Sequence, residues 1–229
     1  MEYKHFVITR FNLTIRFGNY KKDSEYLKNS NLDINYLKER FKIFEKYTFP
    51  SMQSQTCQNF HWVILFHKHT PDEMKRKIDA LKQQYGFIDV YLDDGEKFSF
   101  ANFVNENHFT SQWYLTSRID NDDMFSPSYI EEIQKYAQRN MHRCIITFDK
   151  GIKLDLVTGK KFFFRRRTNH FLSMISQEAH DILRINHSRI DDSGEEIVTL
   201  NSDDVMWYEL IHSSNVFNSI QQSDLKNQL

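Results

Sequence analysis

Trp113-Tyr-Leu-Thr-Ser-Arg-Ile-Asp120-Asn-Asp122-Asp123-Met-Phe-Ser-Pro127 decides how the chain folds. Its first half is mostly β-branched or aromatic, the composition of a buried strand. The apolar run stops at three carboxylates within four residues. Ser126 and Pro127 suit an N-cap and a first-turn proline, and Ile130, Ile133 and Ala137 give the following helix, expected over 127–139, its apolar stripe. The unit is strand, acidic turn, helix. Open α/β sheets hold their ligands beyond the carboxyl ends of the strands. Carboxylates crowded there repel one another unless a cation sits among them. Hard oxygen donors on a short turn suit Mg²⁺ or Mn²⁺ held jointly with phosphate oxygens. A solvated acidic turn would look the same, so the unit alone speaks for the fold and leaves the chemistry open.

The same alternation runs upstream. His5–Arg10, Trp62–Phe66 and Phe87–Leu92 read as buried strands. Between the first two, residues 18–35 are polar and read as a loop, and Leu37, Phe41, Phe44 and Thr48 mark one face of a helix ending near Phe49-Pro50. Thr70-Pro71-Asp72-Glu73 combines N-cap, first-turn proline and capping-box Glu for a helix carrying Met74, Ile78, Leu81 and Tyr85, with Gly86 at its C′ position. A helix over 99–107 leads into the acidic unit. This order predicts an α/β fold with a mainly parallel sheet covered on both faces.

Downstream the pattern becomes mixed. Cys144–Phe148 reads as a strand, and Leu154–Val157 with Lys161–Phe164 as a hairpin around Thr158-Gly159. Residues 170–200 are ambiguous, and Met206–His212 is a last strand or a short helix. A single domain is expected: a nucleotide-binding half over 1–140, a mixed or antiparallel half over 141–218 that could hold a second substrate, and a frayed tail over 219–229.

Composition bounds the partners. With 30 basic against 31 acidic residues the formal charge is −1, which gives no electrostatic footprint for nucleic acid. Twenty Phe foretell a Phe-rich core, and six Gly and three Pro argue against repeats or a long linker. Cys57 and Cys144 lack metal-site spacing and read as reduced structural thiols. The N-terminus enters a strand directly without a signal-peptide pattern, and no run of 18 apolar residues exists. The expected location is cytoplasmic, with peripheral contact at the inner face of a membrane if a substrate is lipid-linked.

Several short stretches then coincide. Pro50-Ser51-Met-Gln-Ser-Gln55-Thr56-Cys-Gln-Asn59-Phe60-His-Trp62 and, about 60 residues later, Thr116-Ser-Arg118-Ile-Asp120-Asn121-Asp122-Asp123 resemble the P-S-x-x-x-Q-T and D-x-D stretches of GT-A glycosyltransferases. Phe6–Asn12, Thr70-Pro71 and the late set Trp207, His212 and Asn215 make the chain most similar to the rhamnosyltransferase family of bacterial polysaccharide synthesis. One departure stands out. Where relatives end the second strand in an Asp that helps bind the base, this chain has Phe66-His67-Lys68.

The resemblance implies a GT-A (Rossmann-like) fold and a metal-dependent, inverting transfer from a UDP- or dTDP-linked sugar to a glycan or lipid-linked acceptor. It implies Asp122 as direct ligand of Mn²⁺ or Mg²⁺, and Asp120 with Asn121 on the donor or on the metal through water. His212 would complete the metal sphere, or be a hydrogen-bonded core residue. Thr9, Arg10 and Phe11 stand where the donor's base should lie. Asp93 or Asp94 would bind base or ribose, although Asp-Asp-Gly is equally an ordinary turn. Arg118 would hold the carboxylates, touch the diphosphate, or form a salt bridge. Asp123 either supports the ligands or is the helix's acidic first turn. Trp207 and Asn215 would meet the acceptor or sugar, with a core role equally open for Trp207. By position, Asp203 or Asp204 is the candidate general base, ahead of Glu195 and Glu196. Arg165-Arg166-Arg167 reads as a solvated basic edge rather than an anion site. A non-catalytic relative and a haloacid-dehalogenase-type phosphatase are the competing readings; in the latter D-x-D normally follows the first strand, whereas three strands precede it here.

Overall fold

Continuous apolar runs become strands, buried on both faces except for the third, an edge strand that is mostly half-buried. In the computed structural model, which describes residues 2–14, 31–95, 98–212, 220 and 222–229, these are β1 (Tyr3–Arg10), β2 (His61–His67), β3 (Ile88–Asp93) and β4 (Trp113–Arg118). β1 pairs in parallel with β2 and β4, and β2 with β3. The helices between them are α1 (Ile34–Ile43), α2 (Phe49–Gln53), α3 (Asp72–Gln84) and α4 (Phe100–Glu106). Beyond the acidic turn come β5 (Met124–Phe125), α5 (Tyr129–Arg139), β6 (Cys144–Phe148), β7 (Lys150–Asp155) and β8 (Lys161–Arg165). The chain closes with β9 (Ser173–Ser176), α6 (Asp181–Arg184), β10 (Ile197–Leu200) and β11 (Trp207–Ile211).

The main sheet has the order β10-β6-β9-β4-β1-β2-β3, and a smaller one has the order β5-β11-β7-β8. β9 runs antiparallel between β4 and β6. The ambiguous stretch 170–200 therefore supplies two strands to the main sheet, and the last segment is the strand β11. Apolar layers cover both faces of this sheet. One is Phe-rich: Phe11 meets Phe41 at 4.4 Å and Phe66 at 4.8 Å between ring centroids.

Several ends differ from expectation, each for a tertiary reason. The first helix does not stop at Phe49-Pro50. It widens into a π-helical turn over Phe44–Thr48 and resumes as α2, whose first turn tolerates the proline. Ser126 and Pro127 do not start α5, which begins at Tyr129 after Ser128. Instead Met124–Phe125 is drawn into the small sheet opposite Tyr208 and Trp207, and Ser126 N donates to Met206 O at 3.0 Å. Thr70 does not cap α3; its hydroxyl donates to His67 O at 2.5 Å, and Pro71 occupies the cap position. Gly86 is not in the left-handed region. The C-terminal segment is not frayed: Gln222–Asn227 forms a 3₁₀ turn, Leu229 N donates to Lys161 O at 2.9 Å, and Asp224 pairs with Lys153 at 3.2 Å. The loop expected over 18–35 lies largely outside the described residues.

A polar cluster is buried against the central strands β1, β4 and β9. Gln134 Nε2 donates to His5 Nδ1 at 3.0 Å, so Nε2 carries the ring proton and faces Ser117 Oγ at 3.1 Å, which meets Ser173 Oγ at 2.6 Å. Burial, with the nearby His61 adding to it, lowers the His5 pKa to about 3. Because the folded value lies below the unfolded one, the neutral ring contributes stability above pH ~6.5 that is lost as pH falls toward 3. At pH 5 the expected loss is about 2 kcal/mol. Comparing melting temperatures at pH 7 and pH 5 checks it: the drop should be smaller in His5→Gln than in wild type.

Candidate active site

The acidic turn leaves the carboxyl end of β4 beside the end of β1, with Ile119 N donating to Ile8 O at 3.2 Å. The segment from α1 through the π turn to α2 fixes its shape. Asn121 Nδ2 donates to Phe11 O at 2.8 Å, and Thr48 Oγ, placed by the π turn, donates to Asn121 O at 3.0 Å. Gln55 holds the far side: its amide donates to Ser51 O (2.9 Å) and Ser126 O (2.8 Å), while its carbonyl accepts from Ile130 N (3.1 Å). Thr56 adds a bond from its N–H to Pro127 O at 2.8 Å. The Pro50–Thr56 stretch thus clamps the far end of the acidic turn, while Thr48 and the Phe11 carbonyl hold the near end.

Each carboxylate has its own surroundings. Asp122 Oδ2 accepts from Arg40 Nη1 at 2.8 Å and lies 3.0 Å from His212 Nε2; Arg40 Nη2 reaches Asn121 Oδ1 at 2.6 Å. Asp123 is buried, accepting from Leu210 N through Oδ1 (3.0 Å) and meeting His170 Nε2 through Oδ2 (2.8 Å). Asp120 is half-buried, and its carboxylate lies with those of Asp123 and His170's ring in a group whose ligand atoms are all within 4.8 Å. Burial lifts the Asp123 carboxyl to about 7, with the neighbouring Asp122 and Asp120 charges adding and the His170 contact opposing. Burial would depress His170, but its hydrogen bond to Asp123 and the charges of Asp123, Asp120 and Glu209 lift it to about 9. The two groups therefore titrate as a coupled pair, the carboxyl raised by burial and the ring raised by the carboxylates around it.

Carboxylates and imidazoles on a rigid strand end can hold a divalent ion. The mixture of oxygen and ring nitrogen suits Mn²⁺ better than Mg²⁺. The 2.8 Å spacing of Asp123 and His170 is close to the roughly 3 Å between adjacent ligand atoms of a small octahedral ion with bonds near 2.1 Å. The donors fall into two clusters, however. The structure does not gather Asp120, Asp122 and His212 into one compact set; Asp120 goes with Asp123 and His170, and Asp122 with His212 and Arg40.

Other expected residues lie elsewhere. Thr9 is fully buried and accepts from Trp62 Nε1 at 2.9 Å, so it faces the core and not the donor. Phe11 is also core; only its carbonyl serves the site. Arg10 is exposed at the strand end. Arg118 is buried and donates to Ile185 O at 3.0 Å. Burial and the charge of Arg10 pull its pKa down to about 10, with Asp120 opposing. Asp93 and Asp94 take the ordinary-turn role: Asp93 accepts from Gly95 N at 2.6 Å, and Asp94 pairs with Lys68 at 2.6 Å. Trp207 is no sugar platform. Its Nε1 donates to Phe148 O at 3.0 Å, its ring stacks on Phe171, and Gly151 packs against its face. Asn215 lies outside the described residues.

Asp203 and Asp204 are not at the acidic turn. Both are exposed in a bend at the amino end of β11, a five-residue strand on the order of 15 Å long, whereas Leu210 and His212 meet the turn at its other end. Asp203→Asn and Asp204→Asn are expected to leave transfer within about twofold of wild type and stability within about 0.5 kcal/mol, as initial rates and melting temperatures would register. Arg40 and His170 escaped the sequence reading. Arg40 resembles any solvated charge beside an apolar helix stripe, and His170 sits in the stretch whose periodicity is ambiguous.

The chain matches, over residues 4–224, the family described as "Putative rhamnosyl transferase". It belongs to that family. Rhamnosyl transferases are glycosyltransferases, and the α/β fold with its mainly parallel sheet is the class the strand and helix pattern predicts. Among solved structures the chain is similar to S. aureus TarS, with 9% identity and a TM-score of 0.49, covering 92% of this chain and 37% of that one. It is similar also to S. aureus TarS 1-349 in complex with UDP-GlcNAc, at 10% identity and a TM-score of 0.46 over 93% of this chain and 60% of that one. The chain thus spans less than two thirds of the length of these neighbours. No curated protein matches it. Among the described residues no helix is long and apolar enough to cross a membrane.

Proposed function

We propose that the chain moves a sugar, rhamnose among the candidates, from a UDP- or dTDP-linked donor to a glycan or lipid-linked acceptor, with inversion. Mn²⁺ or Mg²⁺ would be held at the acidic turn. The observation that carries this reading is the group of Asp120, Asp123 and His170 at the carboxyl end of β4, with the Asp122–His212 pair on the same turn, in a chain of this family. A bound divalent ion supplies a Lewis acid for the departing diphosphate. The chain's own residues supply the rest. Asp120, Asp123 and His170 would donate to the ion, and Asp122 with His212 would lie next to it. Asn121 and the Gln55 clamp keep the turn rigid, so these groups need no reorganisation as charge develops. Arg10, exposed beside the turn, stands as the donor-side cation. Surface polysaccharide synthesis on the cytoplasmic side is the setting this reading implies.

The test is a melting-temperature screen of UDP and dTDP with and without Mn²⁺. At 100 times the dissociation constant a ligand of the folded state adds about 2.7 kcal/mol, or roughly 5–10 °C for a chain of this size. A rise that needs nucleotide and ion together is expected. No rise with either nucleotide in Mn²⁺ or Mg²⁺ would refute the reading.

A further inference from the structure

We propose that Arg40 is a resident counter-cation of the acidic turn: it stands where a divalent ion would otherwise neutralise Asp122, and it competes with that ion. The inference rests on the metal-site reading above and goes one residue further.

Three carboxylates crowd into positions 120–123, and the one permanently charged cation hydrogen-bonded to any of them among the described residues is Arg40. It comes from α1, 82 residues away in sequence, and forks onto the turn, with one amino group on Asp122 and the other on Asn121. Both partners are largely withdrawn from water, the Arg40 side chain at 13% exposure and that of Asp122 at 10%. A carboxylate so placed is costly without a positive partner. The arginine is not held there by a complete set of bonds of its own. Its Nε is buried without a hydrogen-bond partner, a cost a pure packing residue would have no reason to bear. The fork onto Asp122 and Asn121 is what fixes it.

The consequence is a competition. Asp122 Oδ2 already meets Arg40 Nη1 and His212 Nε2, so an ion approaching that oxygen must displace a guanidinium that carries the same sign of charge. Arg40 is therefore a positioning residue. It keeps the turn assembled while no ion is bound, and it lowers the affinity of the turn for free metal.

The experiment titrates Mn²⁺ alone into the full chain, following free Mn²⁺ by its paramagnetic resonance signal and the melting temperature in parallel. Wild type, Arg40→Met, Arg40→Lys and the double variant Arg40→Met with Asp122→Asn are compared. In chelator Arg40→Met is expected to melt below wild type, because the buried Asp122 loses its guanidinium. Mn²⁺ should recover it, with an affinity roughly tenfold or more above that of wild type, the scale on which partners of metal ligands act. Arg40→Lys should bind Mn²⁺ like wild type, and the double variant should lose the gain. If Arg40→Met cannot be purified without metal, Arg40→Gln, which keeps donors but not charge, reads the same titration. A merely structural arginine would lower the melting temperature without any rise in Mn²⁺ affinity, and that result overturns the inference. Wild type responding to UDP with Mn²⁺ while Arg40→Met gains nothing removes the role of Arg40 alone. No Mn²⁺ response in any variant, with or without UDP, removes the metal-site reading as well.

Discussion

Asp122→Asn is expected to reduce sugar transfer on the order of 10²–10³-fold, the scale on which one preorganised electrostatic partner acts in a transition state. The substitution keeps the size and one carbonyl oxygen, so Arg40 Nη1 and His212 retain a neighbour at hydrogen-bond distance. What disappears is a negative charge facing the place where a diphosphate-bound cation would sit. The ion's affinity should fall roughly 10–100-fold, as it does when partners of metal ligands are altered. The joint stabilisation by UDP and Mn²⁺ should fall with it. Initial rates of donor consumption, together with the melting-temperature shift in UDP and Mn²⁺, measure both effects. Transfer within a few-fold of wild type would mean that charge at position 122 plays no part in catalysis.

The largest effect on stability is expected from Trp207→Ala. Trp207 is 2% exposed, bonded through Nε1 to Phe148 O, and sandwiched between Phe171 and the backbone of Gly151. Truncating a large buried aromatic costs about 3–5 kcal/mol, or roughly 6–20 °C of melting temperature in a chain of this size. Gly151→Ala tests the same contact from the other side. A Cβ there would lie 2.0 Å from the indole Cδ2, and because Gly151 is strand backbone opposite Trp207 neither partner can step aside cheaply. Thermal denaturation followed by circular dichroism would show both losses. An acceptor platform would behave otherwise, with Trp207→Ala raising the acceptor KM and leaving the melting temperature near wild type.

These two residues show how unevenly the site is written in the sequence. Asp120, Asn121, Asp122 and Asp123 could be found because a carboxylate cluster interrupts a strongly apolar strand, a local contrast that needs no tertiary knowledge. Gln55 and Thr56 lie in the recognisable Pro50–Trp62 stretch, but that they clamp Ser126, Pro127 and Ile130 across more than 70 residues is visible only in three dimensions. Trp207 was ambiguous because an indole serves equally as a core filler and as a sugar platform. Phe171 and Gly151, distant in sequence, decide for the core. Asp203 and Asp204 looked suitable by spacing alone, and strand β11 carries them to the wrong end.

By itself the sequence determined the α/β class, the parallel order of the first four strands and the position of the acidic turn. All three follow from short-range periodicity, which burial of one face or both imposes on neighbouring residues. Only the tertiary structure decided which cations and rings reach each carboxylate: Arg40 and His212 at Asp122, His170 at Asp123. Electrostatic partners are chosen by distance in space, and nothing in local sequence pattern encodes which helix or strand a fold will bring alongside.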